Sequence, residues 1–154
     1  MSIEIRIATE SDAEVLTEFN CRLAHETEAI ELDRGTVLSG VRRGLAVTGE
    51  VIYFVAQDDA EVVGQLMLTR EWSDWRDGWL AWLQSVYVRS DYRQQGVFRQ
   101  LLNAARDHLQ RQPDVVGLRL YVEDENVSAM STYRRLGFTE AGYRVMEQIF
   151  SAGP

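Results

Sequence analysis

A short polar segment with one glycine, residues 93–98, separates two strongly patterned stretches of this chain. Before it, residues 82–88 are mostly apolar and rich in β-branched and aromatic side chains, which is typical of a buried strand. After it, apolar residues recur at helical spacing, namely Val97, Leu101, Leu102, Ala105 and Leu109. The pattern predicts a strand, a turn and a helix whose first N–H groups face the turn. A helix N-terminus of this kind favours a bound anion such as phosphate.

The turn matches neither of two common phosphate-binding motifs. A dinucleotide fingerprint needs three spaced glycines, and this segment has only Gly96; a P-loop needs Gly-Lys-Ser/Thr, which is absent. A single glycine at a strand–helix turn can also serve tight geometry alone. The segment by itself therefore leaves the anion open.

A second motif, about thirty residues further on, makes the pattern specific. Residues 93–98 resemble the R/Q-x-x-G-x-G/A loop with which the GCN5-related N-acetyltransferase (GNAT) family holds the pyrophosphate of coenzyme A, and residues 86–88 resemble its central strand. Asn126 and residues 133–138 resemble the family's second motif. The family has a small residue at the position of Phe98, so either this ring points away from the cofactor or the cofactor lies slightly differently.

The resemblance implies a single GNAT domain over residues 1–154, of class α/β (α+β). Its mixed central sheet would carry helices on both faces, and its strands would splay apart where the pantetheine arm of acetyl-CoA lies. The implied reaction is acetyl transfer to a primary amine, on a small molecule or a peptide, by direct attack in a ternary complex. The implied cofactor-binding residues are Val86, Tyr87, Val88, Arg93, Gln94, Gln95, Gly96, Val97, Phe98, Arg99, Asn126 and Tyr133.

Hydrophobic periodicity and turn residues predict ten elements. Strands are expected over residues 2–8, 51–57, 61–72, 79–89, 115–122 and 143–150. Helices are expected over residues 13–24, from Asp33 to about Gly49, over 97–112 and over 127–136. Thr9 with Asp12 three residues later forms a predicted helix cap.

Acetyl transfer from a thioester requires a neutral amine, a stabilised oxyanion and a proton for the thiolate. By the resemblance, Tyr133 supplies that proton, and its phenol (pKa about 10) is nearly matched to a thiol of about 8.5; the alternative is an ordinary core tyrosine. A bulge in the central strand would turn an N–H near Val86 or Tyr87 towards the thioester carbonyl. Asn126 either binds pantetheine or water, or caps the following helix, or does both.

The general base and the acceptor site are less defined. Polyamine-acetylating members carry an acid where this chain has Gln84, and an amide cannot accept a proton at neutral pH. The candidate bases, directly or through water, are Glu71 and one of Glu26, Glu28 and Glu31, of which Glu28 is chosen with Glu71; each acid is alternatively a solvated surface charge. Carboxylates and aromatic faces both attract an ammonium group. The predicted acceptor site comprises Glu26, Glu28, Glu31, Trp72, Trp75 and Gln84.

Composition restricts the partners. The formal net charge of -8 disfavours nucleic acid, and no apolar run is long enough to span a membrane. A lone Cys21, with His25 and an expected exposed His108, predicts no metal site. We expect a cytoplasmic protein. The oligomeric state stays open, although related folds often form homodimers. The rival hypotheses are a non-catalytic acyl-CoA sensor and an interaction domain.

Overall fold

The computed structural model describes residues 1–151, which divide into a unit from Met1 to Leu120 and a second unit from Tyr121 onward. The first unit contains a five-stranded sheet in the order β1-β2-β3-β4-β5. Its three antiparallel pairs are followed by one parallel pair, β4 with β5, so the sheet is mixed as predicted. The strands are β1 (Ile3–Ile7), β2 (Ile52–Asp58), β3 (Glu61–Ser73), β4 (Gly78–Val88) and β5 (Val115–Leu120).

Three helices cover the two faces of this sheet: α1 (Ala13–Glu28), α2 (Arg34–Ala46) and α3 (Val97–Gln110). Val55 of β2 packs in one cluster with Leu16 of α1 and Val41 of α2. The preceding residue, Phe54, contacts the ring of His108 on α3. Because neighbouring strand residues point to opposite faces, α1 and α2 lie on one face and α3 on the other.

The entrance to α1 is held by a charged contact. The N–H of Thr9 donates to the carboxylate of Asp12 at 2.8 Å, as the predicted cap requires. Arg6 of β1 binds both oxygens of that carboxylate, at 2.8 and 2.9 Å. The Arg6 guanidinium holds the pKa of buried Asp12 below its usual value. This contact fixes the start of α1 to the edge of the sheet.

Helix α3 buries the stripe that its periodicity predicts, because all five predicted apolar residues are buried. The expectation that His108 is exposed is wrong. Its Nε2 atom is buried without a hydrogen-bond partner among residues 1–151, and its ring packs edge-on against Phe54 with centroids 5.6 Å apart. His108 follows Ala105 by three residues and therefore flanks the buried stripe rather than the solvent face.

The second unit contains one helix, α4 (Val127–Arg135), which is predicted within one residue. Gly137 ends it with a φ of 96°, which favours glycine. The strand predicted over residues 143–150 is wrong, because no strand is assigned there in the described chain. A strand needs a paired neighbour, and residues 121–151 of this unit include no other strand. Of the helices described, none has the length and apolarity to cross a membrane.

Candidate active site

A β-bulge interrupts the pairing of β4 with β3. Gln65 lies opposite Tyr87, and Met67 lies opposite Gln84, so Ser85 and the next residue together oppose one residue of β3. Ser85 adopts a left-handed φ of 51°. The amide of Gln65, itself fully buried, donates to the carbonyl of Ser85 at 2.9 Å. The bulge expected in the central strand is therefore present, and a buried side chain supports it.

The outer edge of β4 opens beside this bulge. Parallel pairing with β5 runs only as far as Leu83, which faces Leu120. β4 continues five residues further to Val88, and none of the strands described pairs with that stretch on its outer side. A bulge also disrupts the local ladder and leaves the extra residue unpaired. Main-chain groups near Val86 are thus available to an extended ligand lying along the edge.

The turn before α3 presents main-chain amides to open space. Gln94 and Gly96 have left-handed φ values of 61° and 79°. Within the described residues, the amides of 94–97 donate no hydrogen bond to the protein. A Cβ added at Gly96 would meet no atom within 4 Å, so protein does not fill the space in front of the turn. Unpaired amides at a helix N-terminus fit a phosphate or pyrophosphate group.

The side chain of Arg93 is bonded to protein groups. Its Nε donates to the Val88 carbonyl at 2.8 Å, and its Nη2 contacts Glu26 at 2.7 Å. The Tyr87 hydroxyl donates to the other oxygen of Glu26 at 2.6 Å. Tyr87 and Arg93 together lower the pKa of Glu26, while burial raises the pKa of Tyr87. Glu26 is a predicted acceptor residue and Arg93 a predicted cofactor residue; in the structure the two are bonded to each other.

A second polar cluster lies on the face of the sheet that includes Trp82. Glu71 accepts the indole N–H of Trp82 at 2.8 Å and forms an ion pair with Arg119 at 3.3 Å. On the same face of the sheet, the side-chain amide of Gln84 donates to the Thr69 hydroxyl at 2.6 Å. Sequence reasoning missed Arg119, although a charged residue within the apolar run of β5 is the signal that could have revealed it.

The predicted aromatic part of the acceptor site does not join this cluster. Trp72 follows Glu71 directly in β3 and therefore points to the opposite face. It packs edge-on against Trp79, with ring centroids 5.0 Å apart. Trp75 lies in the β3–β4 connection and is 86% exposed. The indole that bonds to Glu71 is that of Trp82, which the predicted acceptor site did not include.

The remaining predicted acids lie at the end of α1. Ala29, with a φ of 54°, ends the helix, so the chain turns sharply there. Glu28 is exposed. Oε1 of Glu31 lies at hydrogen-bond distance, 2.6 Å, from Nδ1 of His25. Glu28, the last residue of α1, and Glu31, in the connection between α1 and α2, thus lie close together in the chain, as two residues of the predicted acceptor site.

In the second unit, Asn126 caps α4 by accepting the N–H of Ala129 at 3.1 Å, so its capping role is confirmed. The ring of Tyr133 packs edge-on against Phe138, with centroids 5.7 Å apart. Burial raises the pKa of Tyr133, which keeps the phenol protonated at neutral pH. A protonated phenol is the form that a proton donor requires.

Comparison with known proteins identifies the family. Residues 17–138 match the model of the Acetyltransferase (GNAT) family. The chain belongs to this family. The match covers the turn before α3 and also Tyr133, so both motifs that carried the resemblance lie within it.

Similar proteins carry acetyltransferase names. The crystal structure of a possible acetyltransferase from Clostridium difficile 630 is 40% identical, with a TM-score of 0.90 over 98% of this chain and 99% of that one. An N-alpha-acetyltransferase of Sulfurisphaera tokodaii is 30% identical over 110 residues, or 68% of this chain and 65% of that protein. A streptothricin acetyltransferase of Escherichia coli is 34% identical over 85 residues, or 54% and 45%. The aligned stretches thus span from just under half to just under two thirds of these two relatives.

Proposed function

We propose that this chain is an acetyl-CoA-dependent N-acetyltransferase that transfers the acetyl group to a primary amine. The observation that carries the proposal is the open row of amides at residues 94–97, next to the unpaired outer edge of β4. The amides and the dipole of α3 would hold the pyrophosphate. The exposed Arg99, in the first turn of α3, would add positive charge.

The chain's own groups would divide the chemistry among them. Acetyl-CoA supplies the acetyl group as a thioester. A main-chain N–H near Val86, at the bulge, would stabilise the negative charge that develops on the carbonyl oxygen. By the family resemblance, Tyr133 would hold the proton that the leaving thiolate needs, and Asn126 would contact the pantetheine arm or a water.

Glu71 is the acid that we assign to the acceptor amine. Its carboxylate already accepts hydrogen bonds from Trp82 and Arg119, so we propose that it attracts the ammonium group and orients it by charge. Glu28 has an exposed carboxylate and is the second candidate base. Gln84 would contact the acceptor as a hydrogen-bonding group only. The pH–rate profiles of Glu71→Gln and Glu28→Gln test these roles, because loss of the base removes the acid limb of the profile.

Two classes of acceptor follow from the names of the relatives. One relative is named for streptothricin, a small molecule, and the other for the α-amino group. A panel of small polyamines, aminoglycoside-type amines and peptides with free N-termini would separate these classes by release of CoA thiol. Turnover with the small amines alone would assign this chain to the first class.

Calorimetric titration with acetyl-CoA tests the proposal directly. We expect saturable binding with one site per chain, and no binding at high micromolar concentration would refute it. Tyr133→Phe should bind acetyl-CoA as the parent chain does and turn over more slowly. An unchanged turnover would remove Tyr133 from the mechanism.

A non-catalytic acyl-CoA sensor is the second candidate, because Gln84 stands where polyamine-acetylating members of the family carry an acid, and its amide is bonded to Thr69. The two candidates differ in one outcome. Binding of acetyl-CoA without thiol release on any amine of the panel supports the sensor, and turnover with one amine excludes it. Light scattering on the same samples tests the homodimer that related folds often form.

A further inference from the structure

We infer that Glu26 is a positioning residue for the cofactor turn: it holds Arg93, the first residue of the turn, so that the amides of residues 94–97 stay directed outward. The inference rests on the proposed binding of CoA by these amides. The family match does not assign Glu26 to this role. Three hydrogen bonds join α1, β4 and the turn.

The contacts form a closed ring of short hydrogen bonds. Glu26, in the last turn of α1, uses one carboxylate oxygen for Nη2 of Arg93 and the other for the Tyr87 hydroxyl, at 2.7 and 2.6 Å. Arg93 returns to the strand through its Nε bond to the Val88 carbonyl at 2.8 Å. One oxygen of Glu26 is therefore bonded to the first residue of the cofactor turn and the other to β4, the strand that precedes the turn.

Tyr87, which anchors this ring of contacts, is held rigidly. Tyr87 is only 5% exposed, and its ring packs against Phe19 of α1 at a centroid distance of 5.1 Å. The guanidinium of Arg93 lies 5.3 Å from the Tyr87 ring centroid. A hydroxyl on a packed ring directs Glu26, and Glu26 directs Arg93. A guanidinium bonded in this way restricts the backbone that carries it, and binding groups already ordered before the ligand arrives lose less entropy on binding.

The sign of the expected effect separates positioning from simple electrostatics. Glu26 carries a negative charge near a proposed anion site, so removing that charge would strengthen the binding of an anion if charge alone mattered. Removing the charge of Glu26 would also free the Arg93 guanidinium to contact the phosphates. If Glu26 positions the turn, its removal weakens binding instead. A role confined to fold stability would lower the unfolding temperature and leave the affinity unchanged.

The experiment is a calorimetric titration of CoA into the full chain and four variants. Glu26→Gln should weaken binding by about three- to tenfold, the range for one lost hydrogen bond of ordinary strength, because the side chains of Arg93 and Glu26 are partly exposed to solvent. Asp107→Asn on α3 makes the same change of charge at an exposed site without a described partner, and should bind as the parent does. Arg93→Met should weaken binding, and adding Glu26→Gln to it should change nothing further.

The outcomes are distinct. No binding of CoA by the parent chain would refute the proposed function. Binding by the parent with equal or tighter binding by Glu26→Gln would overturn this inference alone, as would additive effects in the double variant. If Glu26→Gln does not fold, Tyr87→Phe removes only the hydroxyl that directs Glu26. Weaker binding by Tyr87→Phe supports the inference, and unchanged binding overturns it.

Discussion

Replacing Gly96 by alanine perturbs the proposed anion site with the smallest possible side chain. Gly96 has a φ of 79°, and no described atom lies within 4 Å of the Cβ that alanine would add. The substitution therefore causes no steric clash with the protein. Its cost to folding is limited to the left-handed backbone conformation, about 1–2 kcal/mol for a residue with a Cβ.

Gly49 provides a matched control in the same chain. It lies between α2 and β2 with a φ of 84°, and a Cβ there also meets no atom within 4 Å. Gly49→Ala should thus lose the same 1–2 kcal/mol or so as Gly96→Ala. For a chain of this size, each 1 kcal/mol corresponds to a fall of about 2–4 °C in the unfolding temperature. The two variants should unfold within a few degrees of each other.

Binding of CoA should separate the two variants. The added methyl group at Gly96 lies on the turn whose amides, at residues 94–97, are proposed to hold the pyrophosphate. We expect Gly96→Ala to weaken the binding of CoA by at least about tenfold, or 1.4 kcal/mol. Gly49→Ala should bind CoA as the parent does.

The assay is calorimetric titration of CoA at fixed ionic strength, with thermal unfolding of each variant in parallel. Equal affinities for the two glycine variants would refute the proposed anion site, because the same backbone cost would then explain both. A large loss of stability in Gly96→Ala alone would show that the turn has contacts other than those described.

Three further substitutions test the fold and the bulge. Asp12→Asn should lower the free energy of unfolding by roughly 1–3 kcal/mol at pH 7. Because Arg6 lowers the pKa of Asp12 in the folded state, the difference between variant and parent should shrink when urea unfolding is repeated at pH values falling below about 4. A difference that persists at low pH would contradict the ion pair. Leu102→Ala, at a fully buried site on α3, should cost about 2–5 kcal/mol in the same assay, and a cost below 1 kcal/mol or so would contradict its place in the core. Gln65→Leu removes the donor to the Ser85 carbonyl and should cost about 1 kcal/mol while slowing steady-state turnover; an unchanged rate would mean that the bulge has no part in catalysis.

The parts of the fold that local pattern controls could be predicted from sequence. The stripe on α3 follows from apolar residues repeated at helical spacing, and burial follows from that repeat. The hairpin of β2 and β3 follows from Asp58 and Asp59, the latter with a φ of 53° at the turn. The cap at Thr9 follows from an acid three residues later. Each of these features depends on residues close together in the chain.

Features that depend on distant contacts escaped prediction. Glu26 and Arg93 are 67 positions apart in sequence, and no local pattern indicates that they meet. Carboxylates and aromatic faces both attract an ammonium group, which predicts one site for Glu71 and Trp72, but strand alternation turns their side chains to opposite faces of the sheet. Residues 143–150 have the composition of a strand, which specifies no partner for pairing.

The most direct measurement is ¹H–¹⁵N NMR of the labelled chain during titration with CoA and, separately, with pantetheine, which lacks the pyrophosphate. The account predicts that CoA shifts the amide signals of Gln95, Gly96 and Val97 progressively to saturation, and that pantetheine leaves them in place. Saturable CoA binding that leaves these three signals unmoved would contradict it.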